Sequence, residues 1–184
     1  MKLEELSLEE LWELFPIKFV DYSENFRAVY LCEEAQLKSL VGKYIKRISH
    51  IGSTSIKNIK AKPIIDVLIE IDLASKDVVK DILLGNNYIL MSETANKLSF
   101  NKGYTTNGYA DNVFHIHIKK YKDCDELYFR DYLNDNPSKA KEYEKLKLEL
   151  LEKHNPNRDL YTAGKSEFVA AVVGLAKEKY KGRY

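Results

Sequence analysis

The sequence predicts an α+β fold, a mixed β-sheet flanked by helices with a helical C-terminal third. Three observations carry this: strand patterns dominate the middle of the chain, one helix crosses between them, and the pattern is helical from Asp125 onward. In order, Ser7-Leu8-Glu9-Glu10 has the form of a capping box, opening a short helix whose Leu11, Leu14 and Phe15 share a face before Pro16 ends it. From Glu24 to Val41 the residues Phe26, Val29, Tyr30, Leu37 and Leu40 recur at helical spacing, with Gly42 placed as the stop. Ile45 to Ile51 reads as a strand. Pro63 to Ile71 is a nearly continuous apolar run broken by Asp66 and Glu70, the pattern of a buried central strand. After a helix around Ser75 to Leu84, Lys97 to Lys119 alternates and carries Gly103, Asn107 and Gly108 at its turn, which predicts a hairpin ending in Phe114-His115-Ile116-His117-Ile118. Breaks at Asn136-Pro137 and Asn155-Pro156 divide the helical remainder into three helices, because proline disfavours helix in the residue before it.

Composition narrows the classes. A length of 184 residues fits one domain spanning the whole chain, and 45% hydrophobic with 31% charged residues is the balance of a chain that folds throughout. Cys32 and Cys124 show no CxxC spacing, so both read as packing thiols in a reducing compartment. The glutamate-rich start does not suit a signal peptide, and no apolar run approaches the roughly 20 residues of a membrane span, so the expectation is a cytoplasmic protein without a membrane partner. A net charge of +1 argues against a broad grip on long nucleic acid. Oligomeric state is not legible.

Four groups could carry chemistry. In Ile51-Gly52-Ser53-Thr54-Ser55, a glycine and three hydroxyl residues directly follow a strand, either an ordinary turn or a cradle for an anionic group. Asp66 lies within an apolar strand, where a buried carboxylate needs a cation, hydrogen bonds or a metal, and Asp66, Leu68 and Glu70 share a face. Lys62 is a candidate structural partner. His115 and His117, two apart on a strand, point to one side and could present two imidazoles to a metal or phosphate, or simply be two histidines on a hairpin. Lys165 falls on the stripe Tyr161, Phe168, Val169, Val172, Val173, Ala176, so a cation sits at a core position and needs an anion, from a buried acid or from a ligand. Gly164-Lys165-Ser166 mimics the end of a P-loop, but Asp159 replaces the upstream glycine and no strand precedes it.

The runs His50-Ile51-Gly52-Ser53-Thr54-Ser55, Ala61-Lys62-Pro63-Ile64-Ile65-Asp66 and His115-Ile116-His117, followed by Phe129-Arg130-Asp131-Tyr132-Leu133 and by Tyr161, Ala163, Lys165 and Phe168, together resemble the GrpB family of the nucleotidyltransferase superfold. The resemblance implies a Gly-Ser turn gripping phosphates (Gly52, Ser53, Thr54), further phosphate or nucleotide contacts from Lys62, Arg130 and Lys165, and carboxylates at Asp66 and Glu70 in catalytic roles. It also implies a divalent metal, Mg²⁺ or Mn²⁺ with Zn²⁺ as an alternative, held by Asp66 with His115 and His117. Active nucleotidyltransferases place a second carboxylate two residues after the first; here that position is Leu68, which cannot ligate. The implied partner is a nucleotide or other phosphorylated small molecule. Two functions follow as expectations: transfer of a nucleotidyl or phosphoryl group to a small acceptor, or a non-catalytic phosphate-binding or regulatory module with a degenerate metal site. A hydrolase built on the histidine pair lacks an evident general base.

Overall fold

The structure, a computed structural model, describes residues 5–184; residues 1–4, the beginning of the glutamate-rich segment, lie outside the described residues. Strands β1 (Ile45–Ile51), β2 (Ile64–Ile71), β3 (Ile89–Glu93), β4 (Lys97–Thr105) and β5 (Gly108–Lys120) form one mixed sheet in the order β1-β2-β5-β4-β3. Neighbours are antiparallel except β2 and β5, which run parallel and place Asp66 opposite His115 and Leu68 opposite His117. A parallel pair needs a long crossover, and residues 72–107, including helix α3 (Lys76–Leu84), supply it.

Alternation along β2 divides the molecule. Ile65, Val67, Ile69 and Ile71 face helix α2 (Asn25–Val41) and α3 in the main core, where Leu37, Val41, Val79, Leu83 and Phe100 are fully buried. Each such aliphatic side chain contributes roughly 1.5–3 kcal/mol by leaving water. Asp66, Leu68 and Glu70 face the other way, Asp66 into a cleft beside the C-terminal helices, Leu68 and Glu70 toward the start of α4 (Asp125–Asp135) and the residues before it. Leu68 packs there with Ile51, Cys124 and Leu127, while α4, α5 (Pro137–His154) and α7 (Ser166–Lys179) close a separate core around Phe129, Leu133, Tyr143, Val172 and Val173. Helix α1 (Leu8–Leu14) opens with the expected capping box between Ser7 and Glu10. Among the described residues no helix is long and apolar enough to cross a membrane.

The structure departs from the sequence expectation in three places. Strand β3 is an edge strand whose residues are mostly exposed, so its alternation is weak. The C-terminal third holds four helices, because α6 (Arg158–Ala163) ends at Gly164 before α7 begins. Gly103 lies within β4 rather than at its turn, at φ +87° where the pairing with β5 slips from Lys102 opposite Phe114 to Tyr104 opposite Tyr109. That bulge brings Tyr104 onto the same side as His115, and their rings stack with centroids 5.9 Å apart.

Candidate functional site

A cleft of about 400 Å³ opens where the ends of β1 and β2 meet α5 and α6, and its walls include Gly52, Ser53, Lys62, Asp66, His115, His117 and Lys165. Its first element is the turn after β1. Gly52 adopts φ +71°, and a Cβ there would overlap the Asp66 carboxylate, so only glycine permits both the turn and the approach to β2. The amides of Ser55 and Ile56 close the turn on the carbonyls of Gly52 and Ser53, and the Ser53 hydroxyl reaches Tyr143 of α5.

The Asp66 side chain is a quarter exposed and looks into the cleft. Its Oδ1 lies 3.3 Å from His115 Nδ1 and 3.7 Å from His117 Nε2. Burial alone would raise its carboxyl pKa, but the hydrogen bonds and charge of the two histidines outweigh that and hold it well below the usual carboxylate range. Beyond His115 the chain of polar groups continues: the Tyr104 hydroxyl is 2.7 Å from His115 Nε2, and Arg158 donates to the Tyr104 oxygen.

Opposite Asp66 stands an accumulation of positive charge. Lys62 and Lys165 both lie over the ring of Tyr161, with Nζ at 5.2 and 4.5 Å from its centroid. Arg158 lines the same cleft. Desolvation, with repulsion from Arg158 and Lys165, pulls Lys62 down to about 8, and Lys165 is lowered by desolvation too. Behind them Lys147, 2% exposed, is drawn to about 7 by burial and by Lys165; its Nζ donates to the Lys60 carbonyl at 2.5 Å. Among the described residues none of these four cations makes an ion pair with a carboxylate, whereas elsewhere lysines and arginines do so repeatedly.

Of the residues singled out in the sequence, Gly52, Ser53, Lys62, Asp66, His115, His117 and Lys165 come together, and three do not. Thr54 is buried with its hydroxyl between His50 Nε2 (2.9 Å) and the Ile64 carbonyl (3.2 Å), because the turn rotates it inward; it ties β1 to β2 instead of facing a ligand. Its partner His50 stacks on Tyr30 and is lowered to about 4 by burial. Glu70 shares the face of Asp66 but sits four residues further along β2, roughly 13 Å at strand spacing. There it is fully buried and bound by the Arg47 guanidinium and the Lys122 amide. Arg130 is committed to Asp131, the Tyr184 hydroxyl and the His50 carbonyl. Sequence reasoning missed Arg158, Tyr143 and Tyr104. Arg158, Tyr161, Thr162 and Lys165 recur at offsets of three, four and seven, which is a helix-face signal hidden because α6 is short.

The residues present do not fit the metal pair that the fold's catalysts use. The second carboxylate position is Leu68, sealed in an apolar cluster. His117 Nδ1 is buried without a partner among the described residues, so ligation through Nε2 would fix the ring proton on Nδ1 where none of them accepts it. Among the described residues no group of three His, Cys, Asp or Glu is arranged to hold a metal ion.

Comparison with known proteins places this geometry. The family model described as "GrpB protein" matches residues 16–174. The chain is 35% identical over 162 residues to the glutamate-rich protein GrpB of Alkalihalophilus pseudofirmus, covering 84% of this chain and 92% of that one. It is 33% identical to the UPF0157 protein YqkA of Bacillus subtilis, matching 97% of this chain but spanning only 52% of that relative. Among solved structures, GrpB from Enterococcus faecalis superposes with a TM-score of 0.77 at 28% identity, over 89% of this chain and 99% of that one. A GLD-2/RNP-8 complex gives 0.51 at 15% identity, over 84% and 51%, a likeness of fold alone. The fold is the nucleotidyltransferase-like one that the sequence led us to expect.

Proposed function

The chain belongs to the GrpB family, and from that premise we propose that its cleft binds a nucleotide or another phosphorylated small molecule. The observation that carries this is the unpaired cation cluster: Lys62, Arg158 and Lys165 converge on one cleft beside the Gly52-Ser53 turn, with Asp66 as its carboxylate. Burying charges without partners is unfavourable by several kcal/mol, so a polyanion that neutralises them restores a balance the protein alone does not reach. Hydroxyls from Ser53, Tyr143 and Thr162 and the rings of Phe19 and Tyr161 complete the walls, which suits a ligand with a charged end and an organic body.

Binding is favoured over group transfer. A general base works best with a pKa near the working pH, and Asp66 is held far below it. Leu68 removes the second carboxylate as well. A thermal-shift panel of the four nucleoside triphosphates and several sugar and coenzyme phosphates tests the reading. One or more should raise the melting temperature of the wild type, and Lys165→Ala should abolish the shift. Silence across the panel would overturn the proposal; release of pyrophosphate from a nucleotide would restore transfer.

A further inference from the structure

Resting on that phosphate reading, we infer that the ligand carries two or more adjacent phosphate groups and enters as the free anion, with Lys62, Arg158 and Lys165 supplying the positive charge that a bridging metal would otherwise bring. Three separate features of the cleft converge on this.

The first is the charge inventory. Three cations face one carboxylate, and that carboxylate is already engaged by His115 and His117. With Lys147 behind them, four cations stand against one carboxylate, a net of about three positive charges; a single phosphate dianion leaves one unmatched, whereas a diphosphate matches them. The second is spacing. The ammonium groups of Lys62 and Lys165 sit over the ring of Tyr161, and Arg158, one helical turn before that tyrosine on the same face, donates to Tyr104. Three cationic groups along one wall offer separate contacts to the oxygens of consecutive phosphates. The third is the donor set at the bottom of the cleft. Leu68 cannot ligate, and His117 Nδ1 is buried with no hydrogen-bond partner among the described residues, so a ligating Nε2 would leave the ring proton with nothing to accept it. A metal chelate of the ligand would carry extra positive charge into a region where lysines already repel one another. Asp66 therefore does not recruit the ligand; it orients the histidines and opposes the phosphates.

The consequence has a distinctive sign. Were Asp66 a metal ligand, Asp66→Asn would abolish binding; as a like charge facing the phosphates, its loss leaves affinity unchanged or raises it. Calorimetric titration of the whole chain with orthophosphate, pyrophosphate and tripolyphosphate, in EDTA and again in excess Mg²⁺, reads this directly. In EDTA pyrophosphate should bind at least about 10-fold tighter than orthophosphate, and excess Mg²⁺ should weaken it by competing for the anion. Asp66→Asn should bind as tightly as wild type or several-fold tighter, while Lys165→Gln should lose about 10-fold with a melting temperature no lower than wild type. Binding seen only with Mg²⁺, Mn²⁺ or Zn²⁺, or equal affinity for orthophosphate and pyrophosphate, would overturn the inference and leave the phosphate reading standing. The EDTA comparison needs no variant, so a misfolded Asp66→Asn cannot obscure it. Absence of heat and of thermal shift with every anion, with and without metal, would overturn both.

Discussion

The two ends of one face of β2 treat buried charge in opposite ways. At one end Glu70, with no exposed side-chain surface, is matched by the Arg47 guanidinium and by the Lys122 amide. At the other, Lys62, Arg158 and Lys165 share the cleft with Asp66, and among the described residues none of the three forms an ion pair with a carboxylate. Both stretches look alike in sequence, an acid within an apolar strand. A buried charge whose partners are all internal is architecture, and a cluster whose charges do not close marks where something from outside belongs.

The comparison breaks most visibly at Glu70. Arg47→Ala strands a buried carboxylate and should destabilise the fold by about 3–5 kcal/mol in urea denaturation. Affinity for pyrophosphate should stay the same, since Arg47 lies outside the cleft. Next, Gly52→Ala forces a side chain against Asp66 and a left-handed φ, so it should destabilise by roughly 1–3 kcal/mol and also abolish binding, the turn serving both ends of the argument. Lys62→Met inverts the pattern. Removing an uncompensated cation should raise stability by about 1 kcal/mol, a gain of ~2–4 °C in melting temperature for a chain of this size, while weakening the ligand. An equal loss of both would place Lys62 with Glu70 as architecture.

The last test is in pH. Because Lys62 is at about 8 in the folded chain against an ordinary 10.5, the unfolded chain binds the extra proton between those values. Its contribution therefore makes stability rise with pH across that window, and the rise should vanish in Lys62→Met. Ligand affinity should fall across the same window, as the ammonium is lost. Parallel denaturation and titration series at pH 7 and pH 9.5 check both slopes.

Much of the fold was legible because it rests on local signals. The capping box at Ser7, the strand Ile45–Ile51 and the acid-broken apolar run of β2 all announce themselves by spacing. Strand β3 did not, since an exposed edge strand needs no strong alternation. Within the site, sequence supplied residue types but not partners. Thr54, Glu70 and Arg130 are the right chemistry for a phosphate or metal site, yet each is satisfied by groups distant in sequence: Ile64, Arg47 and Tyr184. Tyr104 was hidden for a related reason. It reaches His115 where an irregularity at Gly103 shifts the pairing of β4 with β5, and no local pattern records that register.

The most direct test of the claim that the cations at the Asp66 end exist for an anion is a melting experiment on wild type and on Lys62→Met/Lys165→Met, each with and without pyrophosphate. The account predicts that the double variant melts higher than wild type on its own and gains nothing from pyrophosphate, while wild type gains a clear shift. A double variant that melts lower and still responds to pyrophosphate would contradict it.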